Sequence, residues 1–147
     1  MQLINLRLRE EPLSSGIEAE GHIWDFHDSL DFEGIYQKIG ERSVTLSWRP
    51  GPYGALPFPV ETVEIVFTGV DYFEVTPRDS EIPDLGEDTC LSGLSRVSPE
   101  ADTQELIAHG VPLLAPSDER FHLWFEFRGG QRLRIGAERA IFQSRRV

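Results

Sequence analysis

Four side chains near the N-terminus are of the types that could hold a divalent metal ion: His22, Asp25, His27 and Asp28. Imidazole nitrogens and carboxylate oxygens are common ligands of Zn²⁺ and of other divalent ions. The two histidines match neither a helical His-x-x-x-His pair nor a zinc signature, and in a strand they would point to opposite faces. We therefore predict no metal and no other cofactor, and expect His27 or Asp28 to hydrogen-bond a turn. The alternative hypothesis is a metal-dependent small-molecule-binding protein or enzyme that uses this cluster.

A second group of oxygen donors lies between residues 71 and 88, and it contains seven acids: Asp71, Glu74, Asp79, Glu81, Asp84, Glu87 and Asp88. A calcium loop of the EF-hand type needs acids at alternate positions, then a glycine and a distal glutamate. Here the spacing is irregular and prolines interrupt it, so the pattern favours a solvated loop. Such a loop could meet a protein partner, and the partner-binding residues that we predict in it are Asp79, Glu81, Asp84, Glu87 and Asp88.

The candidate nucleophiles lack neighbours in the sequence that would activate them. Cys90 is the only cysteine and has no glycine-rich elbow around it, and single cysteines are most often small buried hydrophobes. The serines lack a Gly-x-Ser-x-Gly setting, and no glycine-rich phosphate loop is present. We therefore predict no catalytic residue. The tryptophans favour core packing, but an outward-facing Trp124 would belong to a partner interface.

The clearest structural pattern is the C-terminal run from Phe121 to Ile135. Apolar residues recur at every second position from Phe121 to Phe127, the spacing that returns strand side chains to one face. Gly129-Gly130 follows and predicts a two-residue turn in which both glycines have positive φ. Alternation then resumes up to Ile135, so this run predicts an antiparallel hairpin.

The rest of the chain favours further strands and one helix. We expect strands at about 4–8, 30–39, 43–48, 62–70, 70–76 and 90–97, with a proline-rich loop at 50–59. Residues 30–39 could instead form a short helix capped by Asp28 or Ser29. Ser98-Pro99-Glu100 predicts a helix start and Gly110 a helix end. The predicted fold is a single domain over 1–147, mainly β, an antiparallel sandwich or partly open barrel with one short helix.

The charge is unevenly distributed along the chain. Residues 1–119 hold 23 acids and 7 bases, a net charge of −16, whereas residues 120–147 hold 2 acids and 7 bases, a net charge of +5. An acidic body repels phosphate backbones, so we expect no nucleic-acid partner. No apolar stretch approaches the roughly 18 residues of a membrane span, and the N-terminus is predicted to form a strand rather than a signal peptide. The lone cysteine favours a reducing cytoplasm.

Several segments resemble small bacterial β-rich proteins that include the immunity proteins of polymorphic toxin systems. They are Phe26-His27-Asp28, the strand through Trp48, the run from Val63 to Val70, and the region from Phe125 to Phe142. The resemblance implies a non-enzymatic protein that neutralises a toxin by binding it. The leading hypothesis is therefore a protein-binding domain whose acidic loop faces a basic toxin. A third hypothesis is a structural protein that self-associates through a sheet edge.

Overall fold

The computed structural model describes residues 1–9, 15–112 and 120–147, and this part of the chain is mainly β. A five-stranded sheet has the order β1 (Gln2–Ile4), β12 (Arg139–Arg146), β7 (Val60–Thr68), β6 (Ser43–Pro50) and β5 (Leu30–Lys38). A four-stranded sheet has the order β8 (Tyr72–Thr76), β11 (Arg132–Gly136), β10 (His122–Phe127) and β9 (Leu91–Val97). A small sheet contains β2 (Leu6–Leu8), β3 (Gly16–Ala19) and β4 (His22–Asp25). Among the described residues none of the sheets closes into a barrel, and the arrangement is consistent with the predicted sandwich.

One hydrophobic core is shared by the inner faces of the three sheets. Alternation along each strand directs every second side chain inward, as it does for Val44, Leu46 and Trp48 on β6. The ring of Trp48 is fully buried and lies 4.7 Å from the ring of Phe26 and 6.3 Å from that of Phe125. Aromatic side chains from three segments distant in the chain therefore meet at the centre of the molecule.

The predicted first strand, residues 4–8, is divided in the structure. Asn5 has a positive φ of +58°, a conformation that asparagine tolerates better than most residues. The break sends β1 into the five-stranded sheet, where it pairs in parallel with β12, and sends β2 into the small sheet. One residue thus redirects the chain from one sheet to another.

The C-terminal hairpin forms as predicted, but its turn differs from the expected one. Of the two glycines in the turn, only Gly130 has a positive φ, at +85°. The N–H of Gly130 donates to the carbonyl of Phe127 at 3.0 Å, and the N–H of Phe127 donates to the carbonyl of Gln131 at 3.0 Å. This is a three-residue loop in which a left-handed glycine follows a tight turn, so the prediction of two positive-φ glycines is wrong.

We expect Gly130→Ala to lower the free energy of unfolding by about 1–3 kcal/mol, because a Cβ here requires a left-handed alanine. That atom would also lie only 2.7 Å from Cβ of Asp79. Urea unfolding measures the change. Gly40→Ala is the matched control, because its Cβ would meet no atom within 4 Å and its φ is not positive. Equal unfolding midpoints for the two variants would contradict this account of the turn.

The helix α1 (Thr103–His109) starts later than the predicted Ser98-Pro99-Glu100. Its N-cap is Asp102, whose side chain accepts a hydrogen bond from the N–H of Glu105 at 3.1 Å. The predicted start instead forms a turn in which the N–H of Ala101 donates to the carbonyl of Ser98 at 3.1 Å, and the carbonyls of Ser98 and Pro99 also accept hydrogen bonds from Arg134. The predicted end at Gly110 is confirmed.

The remaining predictions of secondary structure agree with the structure. Residues 30–38 form a strand rather than a helix, residues 51–59 form a loop, and residues 91–97 form a strand. Gly69, with a φ of +63°, bends the chain between β7 and β8. In the described residues we find no helix with the length and apolarity to cross a membrane.

Candidate functional site

The acidic loop, residues 77–90, joins the two edge strands of the four-stranded sheet, β8 and β9. Near its start, the N–H of Asp79 donates to the carbonyl of Gly129 at 3.0 Å. At its end, the carbonyl of Cys90 accepts a hydrogen bond from the N–H of Arg128 at 3.0 Å. The loop is therefore fastened at both ends to the turn of the C-terminal hairpin.

Two of the five predicted partner-binding acids take part in this fastening. Asp88 accepts a hydrogen bond from Arg78 at 2.8 Å and another from the side chain of Gln131 at 3.2 Å. Glu87 lies 2.6 Å from Nη1 of Arg128, and the hydrogen bond and charge of this carboxylate raise the pKa of Arg128. Glu87 and Asp88 therefore form ion pairs with neighbouring arginines, so their charges are largely compensated.

The other three acids, Asp79, Glu81 and Asp84, are exposed. The side chain of Asp79 accepts the N–H of Glu81 at 2.9 Å, and that of Asp84 accepts the N–H of Gly86 at 3.0 Å. Both bonds shape turns, and within the described residues no cationic side chain pairs with these three carboxylates. Leu85, 74% exposed, lies beside Asp84. The loop therefore presents three carboxylates and one apolar side chain to solvent in a fixed geometry.

Trp124 does not contribute to this surface, contrary to the expectation for an outward-facing tryptophan. It is 1% exposed and packs with Val97 and Leu106 in a second, smaller core. Its indole N–H donates to the carboxylate of Glu126 at 2.9 Å. Helix α1 covers this face of the four-stranded sheet, so both faces of β10 are buried and Trp124 cannot reach a partner.

The candidate metal cluster does not converge. The ring of His22 packs edge-on against Phe58 at 5.4 Å. The side chain of Asp25 accepts the backbone N–H groups of His27 at 2.8 Å and of Asp28 at 3.2 Å, so it caps the turn that leads into β5. Across the described parts of the chain, including the acids between 71 and 88, no group of three or more His, Cys, Asp or Glu side chains could hold a metal ion.

Cys90 lies beside His27. No local sequence motif could predict this contact, because 63 residues separate the two. Its Sγ is 3.3 Å from Nδ1 of His27, but the same nitrogen is 2.9 Å from the carbonyl of Leu91. A carbonyl can only accept, so Nδ1 carries a proton and cannot take one from the thiol. Burial also raises the pKa of Cys90, which disfavours the reactive thiolate. The pair is a packing contact rather than an activated nucleophile.

A buried arginine cluster is the main polar feature that the sequence did not reveal. Arg134 is 3% exposed and its guanidinium N–H groups donate to five acceptors: His122 Nδ1 at 3.1 Å, Ala101 O at 2.7 Å, Thr103 Oγ1 at 2.9 Å, Ser98 O at 3.1 Å and Pro99 O at 3.2 Å. Alternation on β11 predicts a solvent-facing arginine. Only the segment that covers this face, distant in sequence, makes the position buried.

Aromatic and acidic neighbours complete the arginine cluster. The guanidinium lies 4.9 Å from the ring centre of Tyr72, which also stacks on His122. The hydroxyls of Tyr72 and Thr103 both donate to the carboxylate of Glu74. Burial and the charge of Arg134 lower the pKa of His122. Because the donors of Arg134 are already engaged, we interpret the cluster as an anchor for helix α1 rather than a reacting site.

An open depression of about 640 Å³ lies beside the small sheet, around the turn between β3 and β4. The charged side chains that line it, Arg7, Glu18 and Glu20, are exposed. Glu20 also accepts a hydrogen bond from Ser144 at 2.6 Å.

No family model, curated protein or solved structure matches this chain. The exposed carboxylates of the acidic loop are therefore the candidate functional surface.

Proposed function

We propose that this chain is a non-enzymatic protein-binding domain whose acidic loop engages a basic protein partner, as an immunity-type protein that neutralises a basic toxin would. The observation that carries the proposal is the outward display of Asp79, Glu81 and Asp84 on a loop fastened to the hairpin turn. The resemblance to immunity proteins points in the same direction.

The fixed geometry of the loop supports such a role. Its fastening removes part of the ordering cost that a flexible loop would meet on binding. Three uncompensated carboxylates on a body of net charge −11 would attract a cationic protein and speed its association. Leu85 supplies apolar area within this charged surface, the combination found in many interfaces.

A cytoplasmic location is part of the proposal. The single cysteine supports it, because Cys90 is a free thiol, as proteins of a reducing compartment usually carry.

The test is reversal of the three exposed charges, Asp79→Lys, Glu81→Lys and Asp84→Lys, in one variant. Stopped-flow binding to the protein encoded by the neighbouring reading frame gives the association rate at several salt concentrations. We expect the rate at low salt to fall by about tenfold to a hundredfold and its salt dependence to flatten, because the steering charges are gone.

The matched control changes the net charge by the same amount elsewhere, through Glu18→Lys, Glu41→Lys and Glu105→Lys, all at exposed positions. It should leave the association rate within about threefold of the wild-type rate, because steering depends on where charge lies as well as on its total. An acidic-loop variant that binds at the wild-type rate, with the wild-type salt dependence, would contradict the proposal.

A further inference from the structure

A row of side chains crosses all five strands on the outer face of the five-stranded sheet. The register places these residues side by side, and we call them the apolar row: Ile4, Ile141, Val66, Thr45 and Tyr36. Their neighbours along the strands, such as Leu46 and Phe67, are buried, so alternation directs the apolar row away from the core. Tyr36 is 63% exposed, and the other four are partly exposed. None of the five belongs to either hydrophobic core.

The two flanks of the apolar row carry opposite charges. On one side, the adjacent row contains Lys38 on β5 and Arg139 on β12. On the other side, the adjacent row contains Glu64 on β7, and Glu33 on β5 accepts a hydrogen bond from Ser47 at 3.4 Å. Lys38 also lies 3.5 Å from Glu41, but that pair is solvent-exposed and therefore weak. These three rows thus read basic, apolar and acidic along the direction of the strands, and Arg49 and Arg145 lie beyond the acidic row.

We propose that this face binds a second copy of the same chain, with a two-fold axis that runs along the apolar row. Rotation about that axis exchanges the flanks, so it places Lys38 of one copy over Glu33 of the other and brings Arg139 close to the other copy's Glu64. An axis parallel to the strands would instead stack basic flank on basic flank. The charge pattern is therefore self-complementary in one orientation, which is what a symmetric dimer requires.

The area of this face limits the affinity of the proposed dimer. Five strands about 4.8 Å apart and three rows about 7 Å apart cover about 500 Å² on each copy. A standard stable interface buries about 800 Å² on each partner, so we expect a weak dimer with a dissociation constant of about 1–100 µM. The acidic loop belongs to the other sheet, so the proposal adds to the proposed function and does not depend on it.

The experiment is sedimentation velocity on the full chain over a concentration series from about 1 to 500 µM. The wild type should shift from monomer to dimer within this range. Lys38→Glu and Glu33→Lys alone should each weaken the dimer by about tenfold, because each places like charges together at two symmetric positions. The double variant should recover most of the affinity, because the exchanged pair forms again across the axis.

Tyr36→Ser tests the apolar row and should weaken the dimer by at least tenfold, because it removes the row's most exposed side chain. Glu18→Lys, on the small sheet, is the control and should dimerise as the wild type does. A chain that stays monomeric throughout the series overturns the proposal and leaves the face to another partner. A dimer that Lys38→Glu, Glu33→Lys and Tyr36→Ser leave unchanged overturns it as well, because it forms through another surface.

Discussion

Replacement of Arg134 by leucine should lower the free energy of unfolding by about 3–5 kcal/mol, one of the two largest effects that we expect from a single change. The substitution would remove Arg134 as a donor to the part-buried carbonyls of Ser98, Pro99 and Ala101, of which that of Ser98 would keep only the N–H of Ala101 at 3.1 Å. It would also remove the N–H group that donates to His122 and the guanidinium that lies over the ring of Tyr72. Helix α1 and the turn before it would lose these polar contacts to the sheet, whereas the packing of Leu106 with Val97 and Trp124 would remain.

Urea unfolding followed by tryptophan fluorescence measures this loss, because Trp124 lies under the same helix. Arg134→Lys should recover little of the stability, because one ammonium group cannot reach five acceptors spread over this segment. Arg145→Leu is the matched control, since Arg145 is exposed and its pair with Glu61 is a surface contact. An Arg134→Leu variant as stable as Arg145→Leu would show that the cluster does not anchor the helix.

Replacement of Trp48 by alanine should lower the free energy of unfolding by about 3–5 kcal/mol. Trp48 is fully buried, and its ring contacts Phe26, Phe32 and Phe125, so the substitution would open a cavity where the sheets meet. Trp48→Phe should cost less than half as much, because it keeps one ring in the same space.

Chemical unfolding, with far-ultraviolet circular dichroism as the signal, separates these variants from a surface control. Tyr53→Ala suits that purpose because Tyr53 is 77% exposed, and it should change stability by no more than about 0.5 kcal/mol. If Trp48→Ala were no less stable than Tyr53→Ala, the shared core would not be the main source of stability.

The strands could be predicted because their pattern is local. Period-two alternation marks β6, β7 and β10 without any knowledge of their partners, and the predicted mainly β fold with one short helix is confirmed, although β1 and β12 pair in parallel. The change of sheet at Asn5 could not be predicted in the same way, because an alternating run reads identically whether or not one of its residues is left-handed. The start of α1 was missed because Ser98-Pro99-Glu100 has the residue types of a helix start but forms a turn, whereas the N-cap is Asp102.

The candidate site could likewise be predicted only in part, because its geometry depends on contacts between residues distant in the sequence. The acidic loop is visible in composition, but its division into fastening and outward-facing acids depends on Arg128 and Gln131, about forty residues away. The burial of Trp124 likewise depends on what covers the outer face of its sheet. Composition identifies which residues carry charge, whereas only the tertiary structure determines which charges remain available.

The position of β12 constrains how the protein can fold as it is synthesised. This strand follows all the others in sequence, yet it lies between β1 and β7 within the five-stranded sheet. While residues 139–146 are still inside the ribosome, β1 has no strand to pair with and β7 has only β6. We therefore expect this sheet to close only once β12 is free to pair, at the slow rate typical of contacts between distant parts of a chain.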